Sequence, residues 1–411
     1  MTTYQKFINW AKDNGAIFDD LSLHKYDNGE RGIHSKKGTR KGKTIIKIPL
    51  KLIIHDGMGE NTFYGNKVKK YADSFQNYKI IMVILYILST NNKVSFFKPY
   101  YDILPKNILN FPIFWNDTDK EMLKGSNIHS EIIIRQRNIL NDYNKICKIV
   151  PTFKNEVSIK QFLWVRTIVG SRNFGIEINN KHRVAMVPLC DLLNHDNNPD
   201  VNWFFDYKDK YFKMKSNRYI KQNIPITDTY GSKSNLKYFL FYGFTIANND
   251  NDLIFINIEH GSNNKKLKDM LIPSINGYLG KDNNNMFFNK LISFLRISVS
   301  SKETLKKNNR LSYYSQPFDI NNELLTLKAF KVYLNTLINK YTYFFSKNHP
   351  ERRDNIIKFS KRWNAYNLVM GEISVINIYL ELIKNGENIL NKKEKRHFNN
   401  SYLEQLINYV N

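Results

Sequence analysis

The stretch VPLCDLLNHDNNPDVNW, residues 187–203, places Asp191, Asn194 and His195 within five positions of a chain that holds nine histidines. Downstream, residues 229–244 read TYGSKSNLKYFLFYGF, with two Tyr-Gly dipeptides twelve positions apart. An Asn-His pair behind an apolar run admits a metal ligand set, a general acid/base pair, or the wall of a pocket for a small polar ligand. It also admits a turn satisfied by its own polar groups, with Asp191 capping it. For a metal, Asp191 and His195 stand at i and i+4 and His182 and Asp196 are near, but no second ligand set follows at zinc spacing. For a hydrolase there is no G-x-S-x-G elbow, and Cys190 follows Leu189 in what reads as a buried strand.

Composition narrows the class. A chain of 411 residues is long enough for two or three domains. Its 42% hydrophobic and 14% aromatic content supports a packed core. The net charge of +25, from 62 basic and 37 acidic residues, favours RNA, ribosomes or acidic partners. The charge is spread out, however. The densest runs are KKGTRKGK at 36–43 and KKEKRH at 392–397, and neither is interleaved with aromatics as a single-strand platform would be. Cys147 and Cys190 make neither a disulfide framework nor a four-thiolate zinc site, which points to a reducing compartment. The first residues are amphipathic, with no apolar signal core. The longest apolar run, IIMVILYIL at 80–88, has nine residues where a membrane span needs about 20. A soluble intracellular protein is the expectation.

Periodicity then organises the chain. Tyr4, Phe7, Ile8, Trp10 and Ala11 share a helical face, with Thr2 and Thr3 as caps and a stop near Gly15. Residues 29–54, GERGIHSKKGTRKGKTIIKIPLKLII, have glycines at turn spacing and β-branched runs, predicting two or three short strands. Residues 62–170 read mostly as helix. Strand texture returns at 184–212 and 253–258, and after about 265 the spacing is helical almost throughout. One stripe runs through Leu324, Leu327, Leu334, Leu337, Ile338 and Tyr341. Another runs through Trp363, Leu368, Ile373, Ile376, Leu380 and Ile383.

The order of segments along the chain is a glycine-rich turn, a helical insert, VGSRNF at 169–174, Asp-x-x-Asn-His, Tyr-Gly and Tyr-Gly-Phe. That order resembles the SET-domain protein lysine methyltransferases of the subclass typified by the Rubisco large-subunit methyltransferase. Within it, the resemblance is strongest to the fungal ribosomal-protein lysine methyltransferases. It extends over nearly the whole chain, through FKPYYDILP, PIFW and LKGSNI to RWNAYNLVMGEISVINIYLELI at 362–383. The fold it implies is α+β: a pseudoknotted SET β-fold split by a helical insertion, followed by an all-α substrate-binding domain. The expected bounds are 1–60 and 166–262 for the SET domain, 61–165 for the insertion and 263–411 for the helical domain.

The resemblance also implies the chemistry. S-adenosyl-L-methionine carries an amine, a carboxylate, a sulfonium and an adenine, so its pocket needs dispersed polar partners and an aromatic face. By resemblance, Gly29, Glu30, Arg31, Gly32, Arg172, Asn194, His195, Tyr242 and Phe244 bind this cofactor, with Ser171 and Phe174 as lining. Tyr230 is the catalytic tyrosine, and Arg172, Asp191 and Trp203 share substrate binding with it. No metal is implied. The acceptor nitrogen must be neutral to attack, and free lysine, with a pKa near 10.4, is roughly one part in a thousand neutral at pH 7.4. A narrow apolar channel and an adjacent sulfonium disfavour the ammonium. The expectation is methylation of a lysine on a non-histone protein, a ribosomal protein first, by a cytoplasmic or nuclear monomer with rRNA contact through its basic surface and no membrane contact. Cytochrome c and a histidine acceptor are the alternatives within the fold, and a non-catalytic peptide- or ribosome-binding module is the alternative outside catalysis. Two departures stand out. Gln222-Asn223 replaces the family's Gly-Glu turn, where Asn tolerates a positive φ, and no cysteine-rich zinc segment follows the SET domain.

Overall fold

The computed structural model describes residues 1–18, 20–26, 31–281, 286–344 and 353–391. Gly29, Glu30 and the basic run at 392–397 lie outside the described residues. The chain divides into two compact units, residues 1–109 with 134–232, and residues 110–133 with 233–411.

The first unit opens with the helix Thr3–Asp13, whose first turn is capped by the Thr2 hydroxyl on the Gln5 N–H; past its C-terminal end Gly15 has a φ of 88°. Among the described residues ten short strands follow: β1 (Leu21–Lys25), β2 (Arg31–Ser35), β3 (Thr44–Pro49), β4 (Ile54–His55), β5 (Asn173–Ile178), β6 (Lys181–Met186), β7 (Asn194–His195), β8 (Val201–Asp206), β9 (Tyr211–Ser216) and β10 (Thr227–Asp228). They form two hydrogen-bonded pairs, β1–β2 and β7–β10, and two three-stranded sheets, β3-β9-β8 and β4-β6-β5. All are antiparallel except β7–β10. Parallel pairing needs a long crossover. Here it brings the segment just before Tyr230 alongside Asn194 and His195.

Strand structure begins at Asn173, earlier than the alternation from Val184 suggests, because NFGIEI pairs along its length with β6. Asn223 has a φ of 60°, the turn conformation expected of it. Two helices flank this region of sequence. Tyr78–Thr90 buries Ile81, Met82, Val83, Ile84, Leu85 and Ile87, and Ile159–Arg172 starts with a Ser158/Gln161 capping box.

Helix Tyr78–Thr90 packs against the short helix Asp56–Gly59 at backbone distance. A Cβ on Gly59 would stand 1.9 Å from the Met82 carbonyl oxygen, and one on Gly65 would stand 1.9 Å from the Gly59 oxygen. Neither neighbour is a side chain that can swing away. Gly59→Ala is therefore expected to destabilise the protein by roughly 3 kcal/mol or more, read as a lowered urea midpoint with unchanged m-value.

In the second unit β11 (Leu253–Glu259) pairs with β12 (Ser274–Gly280). The helical reading after residue 265 misses β12. Its Asn-Gly centre is poor strand sequence, but Ile275 and Leu279 alternate inward and pair with Ile258 and Ile254. Helices Met286–Val299, Ile320–Ile338 and Lys361–Asn391 complete the core. The two leucine-isoleucine stripes lie on the last two of these, with Leu327, Leu334, Leu337, Leu368, Ile376 and Ile383 buried. By length and composition an 18-residue window of Lys361–Asn391 is apolar enough to cross a membrane, and 56% of that window is buried within the protein. Its inward polar groups are satisfied there. The Asn364 side-chain oxygen accepts from the Thr245 N–H and hydroxyl at 3.0 and 3.1 Å. Glu372 accepts from Ser126 and Tyr341, and burial pushes its carboxyl up to about 8.

Candidate active site

The site begins with a strained residue. Leu189 has a φ of 72°, a region that a branched side chain enters only where its surroundings enforce it, at a cost of about 1–3 kcal/mol. The sharp turn feeds a single 3-10 turn, Cys190–Leu192. Cys190 is thus buried in a turn, and the strand expected for it is absent because the Leu189 conformation breaks the extended run.

That turn aims Asp191 inward, where its side chain is fully buried. Arg172, in the last turn of helix Ile159–Arg172, donates to the Asp191 backbone carbonyl at 2.5 Å and to Oδ2 at 3.3 Å. Tyr100 donates to the same Oδ2 at 2.9 Å. Oδ1 accepts no hydrogen bond among the described residues. Burial pushes the carboxyl up, opposed by the Arg172 charge, the Tyr100 hydroxyl and the Arg31 charge.

Two residues further on, β7 sits beside β10 with Asn194 opposite Thr227 and His195 opposite Asp228. The His195 Nδ1 accepts the Tyr230 backbone N–H at 3.0 Å, so the ring proton belongs on Nε2, which faces the Asn197 side-chain oxygen at 3.2 Å. The Tyr230 ring stacks on His195 with centroids 5.2 Å apart, and its hydroxyl donates to the Leu193 carbonyl at 2.7 Å. His195 therefore acts on Tyr230 as a prop in this arrangement. The Asn194 amide donates to the Arg31 carbonyl at 2.9 Å. A Cβ on the next residue, Gly32, would stand 3.3 Å from that amide nitrogen and 2.5 Å from the Tyr26 hydroxyl. The glycine is what permits the close approach. The Arg31 guanidinium turns away to the Tyr4 hydroxyl, at 2.9 Å, and the Ile103 carbonyl.

Arg31, Gly32, Arg172, Asp191, Asn194, His195 and Tyr230 thus occupy one connected region of the first unit. Trp203 lies on β8, stacked on Phe212 at 5.3 Å and edge-on to Phe174 at 5.5 Å. Ser171 donates back to the Thr167 and Ile168 carbonyls of its own helix. Tyr242 and Phe244 belong to the second unit, where Phe244 stacks on Tyr238 at 5.2 Å and Tyr242 meets Phe244 edge-on at 6.3 Å. Sequence reasoning missed Tyr100, Tyr26 and Asp228. Only Asp228 left a trace, as an acid two residues before Tyr230 in a segment otherwise neutral from Asn223 to Thr227.

Chemically, the region offers polar partners on several separate segments, a glycine that admits backbone contact, and buried carboxylate oxygens without donors. That donor and acceptor set fits a cationic ligand with several polar groups. Among the described residues, no three His, Cys, Asp or Glu side chains gather as a metal-binding set.

No protein-family model matches the chain. Among solved structures, the chain superposes on the SET domain of LSMT bound to lysine and AdoHcy with a TM-score of 0.75 and 18% identity over 98% of each chain. It superposes on Rubisco LSMT bound to AdoMet with a TM-score of 0.75 and 19% identity, over 99% of this chain and 100% of that one. The chain has the SET-domain fold of these structures, mixed helix and strand. Among curated proteins it is similar to the actin-histidine N-methyltransferase of Gallus gallus, 20% identical over 322 residues, covering 74% of this chain and 54% of that protein. The Homo sapiens protein of the same description is 19% identical over 324 residues, with the same coverage. The chain spans about half the length of the curated relatives it matches.

Proposed function

We propose that the chain is an S-adenosylmethionine-dependent protein methyltransferase acting on a side-chain nitrogen. The observation that carries this reading is the parallel β7–β10 pairing, which seats Tyr230 on His195 beside the Arg172–Asp191–Tyr100 cluster. The SET-domain fold of the LSMT structures and the histidine methyltransferases among its relatives support it.

When bound, the cofactor supplies a methyl group activated by a sulfonium. Arg31, Gly32, Asn194 and His195 would hold it through backbone groups and the Asn194 amide. Arg172 and Asp191 fix each other, so the wall they form keeps its shape as the acceptor enters. Tyr230, held at both ends, orients the acceptor nitrogen, and positioning of this kind supplies much of the rate. The relatives act on histidine and a structural neighbour is bound to lysine; both acceptors need a lone pair on nitrogen. A ribosomal protein is the finer reading of the substrate, supported by the motif resemblance and the net charge of +25.

The test is twofold. S-adenosylmethionine at a hundred times its dissociation constant is expected to stabilise the protein by about 2.7 kcal/mol, seen as a rise in melting temperature. Labelled methyl is then expected to pass to a protein in an extract of the cells that make this chain. Absence of both effects in folded protein would replace the enzyme with a peptide- or ribosome-binding module.

A further inference from the structure

The reaction as derived does not use Asp228. Its residue is 2% exposed, and its Oδ1 accepts no hydrogen bond among the described residues. Strand alternation sets its direction. The neighbouring Thr227 hydroxyl bonds to Asp200 at 2.9 Å on one face of β10, so Asp228 points to the other. Residues in register in a parallel pair share a face, so Asp228 is on the face of His195. Asp228 lies opposite His195 in the β7–β10 register and two residues before Tyr230. Its charge and that of Asp191 both act on the Cys190 thiol, which burial already pushes up. Asp191 is paired with Arg172 and Tyr100, whereas burial pushes Asp228 up to about 6, countered by the Thr229 N–H. A buried carboxylate oxygen without a donor costs about 1–3 kcal/mol, and a substrate N–H would remove that cost.

Resting on the methyltransferase reading, we infer that Asp228 receives an N–H of the acceptor side chain and that the acceptor is therefore a histidine ring. The two candidate acceptors respond oppositely to a carboxylate. A lysine beside it is stabilised as ammonium, which has no lone pair to attack with. A neutral imidazole keeps a lone pair on one nitrogen while the other donates its proton to the carboxylate, as in Asp-His pairs where the acid fixes the tautomer. Asp228 would hold one ring N–H and aim the second nitrogen at the methyl carbon. The new nitrogen–carbon bond forms as the donor's carbon–sulfur bond breaks, its electron pair leaving on sulfur. The methylated ring is then a cation, and it passes its N–H proton to the Asp228 carboxylate and on to water. Free histidine has a pKa near 6.5, so this transfer to a carboxyl near 6 is almost balanced.

The experiment compares the native chain with Asp228→Asn and Asp228→Leu. Each is incubated with methyl-labelled S-adenosylmethionine and the cell extract, and labelled protein is hydrolysed for chromatography of its amino acids. The native enzyme is expected to yield methylhistidine. Asp228→Asn is expected to lose roughly tenfold or more of that yield, with thermal stabilisation by S-adenosylmethionine unchanged. Asp228→Leu is expected to raise the ratio of methyllysine to methylhistidine. Both variants lose an unsatisfied buried carboxylate, so both should melt at or above the native temperature at pH 8, which separates a catalytic loss from misfolding. Methyllysine as the native product, or undiminished methylhistidine from Asp228→Asn, overturns the inference and leaves the methyltransferase standing. No label from a native protein that S-adenosylmethionine fails to stabilise overturns both.

Discussion

Tyr230→Phe is expected to lower the turnover number for the proposed methyl transfer about a hundredfold while leaving the fold and cofactor affinity in place. The size follows from positioning, since a displacement of about 1 Å at a reacting group costs on the order of a hundredfold. The selectivity follows from how the residue is held. Its backbone N–H bonds to the His195 ring at 3.0 Å and its own ring stacks on that histidine at 5.2 Å, and neither contact involves the hydroxyl. Phenylalanine keeps both and loses the bond to the Leu193 carbonyl. That loss is worth about 1 kcal/mol of stability, so the melting temperature should barely move. His195→Ala gives the contrast: removing the prop frees the Tyr230 ring and leaves its N–H without the imidazole acceptor, so stability and turnover should fall together. Steady-state kinetics with the labelled donor, alongside melting curves, separates the two. A Tyr230→Phe enzyme within threefold of native turnover would place Tyr230 outside the reacting site.

How much of this was legible in advance depends on whether a residue acts through local pattern or through a distant partner. Asn194, His195 and Tyr230 stand in short motifs, and the parallel pairing of β7 with β10 brings the segment before Tyr230 alongside the Asn-His pair. The N-terminal helix was readable because Thr2 and Gly15 mark its ends chemically. The Cys190 turn was not. The apolar string around it is what a buried strand also looks like, and only the backbone of Leu189 reveals the break. β12 was hidden for the same reason, since its partner β11 lies about 20 residues upstream across a loop and a short helix. Tyr100 is the clearest omission. It sits 91 residues before Asp191, and nothing in its own neighbourhood marks it as the donor to that carboxylate. Gly59 and Gly65 are similar cases, their necessity set by a backbone approach that sequence spacing does not encode.

In the second unit, removing either partner of the Arg296–Glu323 pair should destabilise the protein by about 3–5 kcal/mol, and removing both should recover much of it. Arg296, on helix Met286–Val299, and Glu323, on helix Ile320–Ile338, are each 1% exposed. The guanidinium Nη2 donates to Glu323 Oε2 at 3.1 Å, and Nε donates to Oε1. Nη1 donates to the Tyr314 carbonyl at 3.0 Å. Both charges are thus taken out of water and compensated by each other, so the stability of the intact pair is modest while the cost of halving it is large. Glu323→Leu strands the guanidinium with the Tyr314 carbonyl as its acceptor. Arg296→Met strands the carboxylate instead. The double variant Arg296→Met/Glu323→Leu replaces the pair with apolar groups of similar length. It also leaves the Tyr314 carbonyl without its arginine donor, so recovery should fall short of native by about 1–3 kcal/mol. A urea denaturation cycle over the four proteins measures the coupling. A coupling energy under about 1 kcal/mol, typical of exposed pairs, would mean that water reaches this contact in solution and that apolar packing alone holds the two helices together.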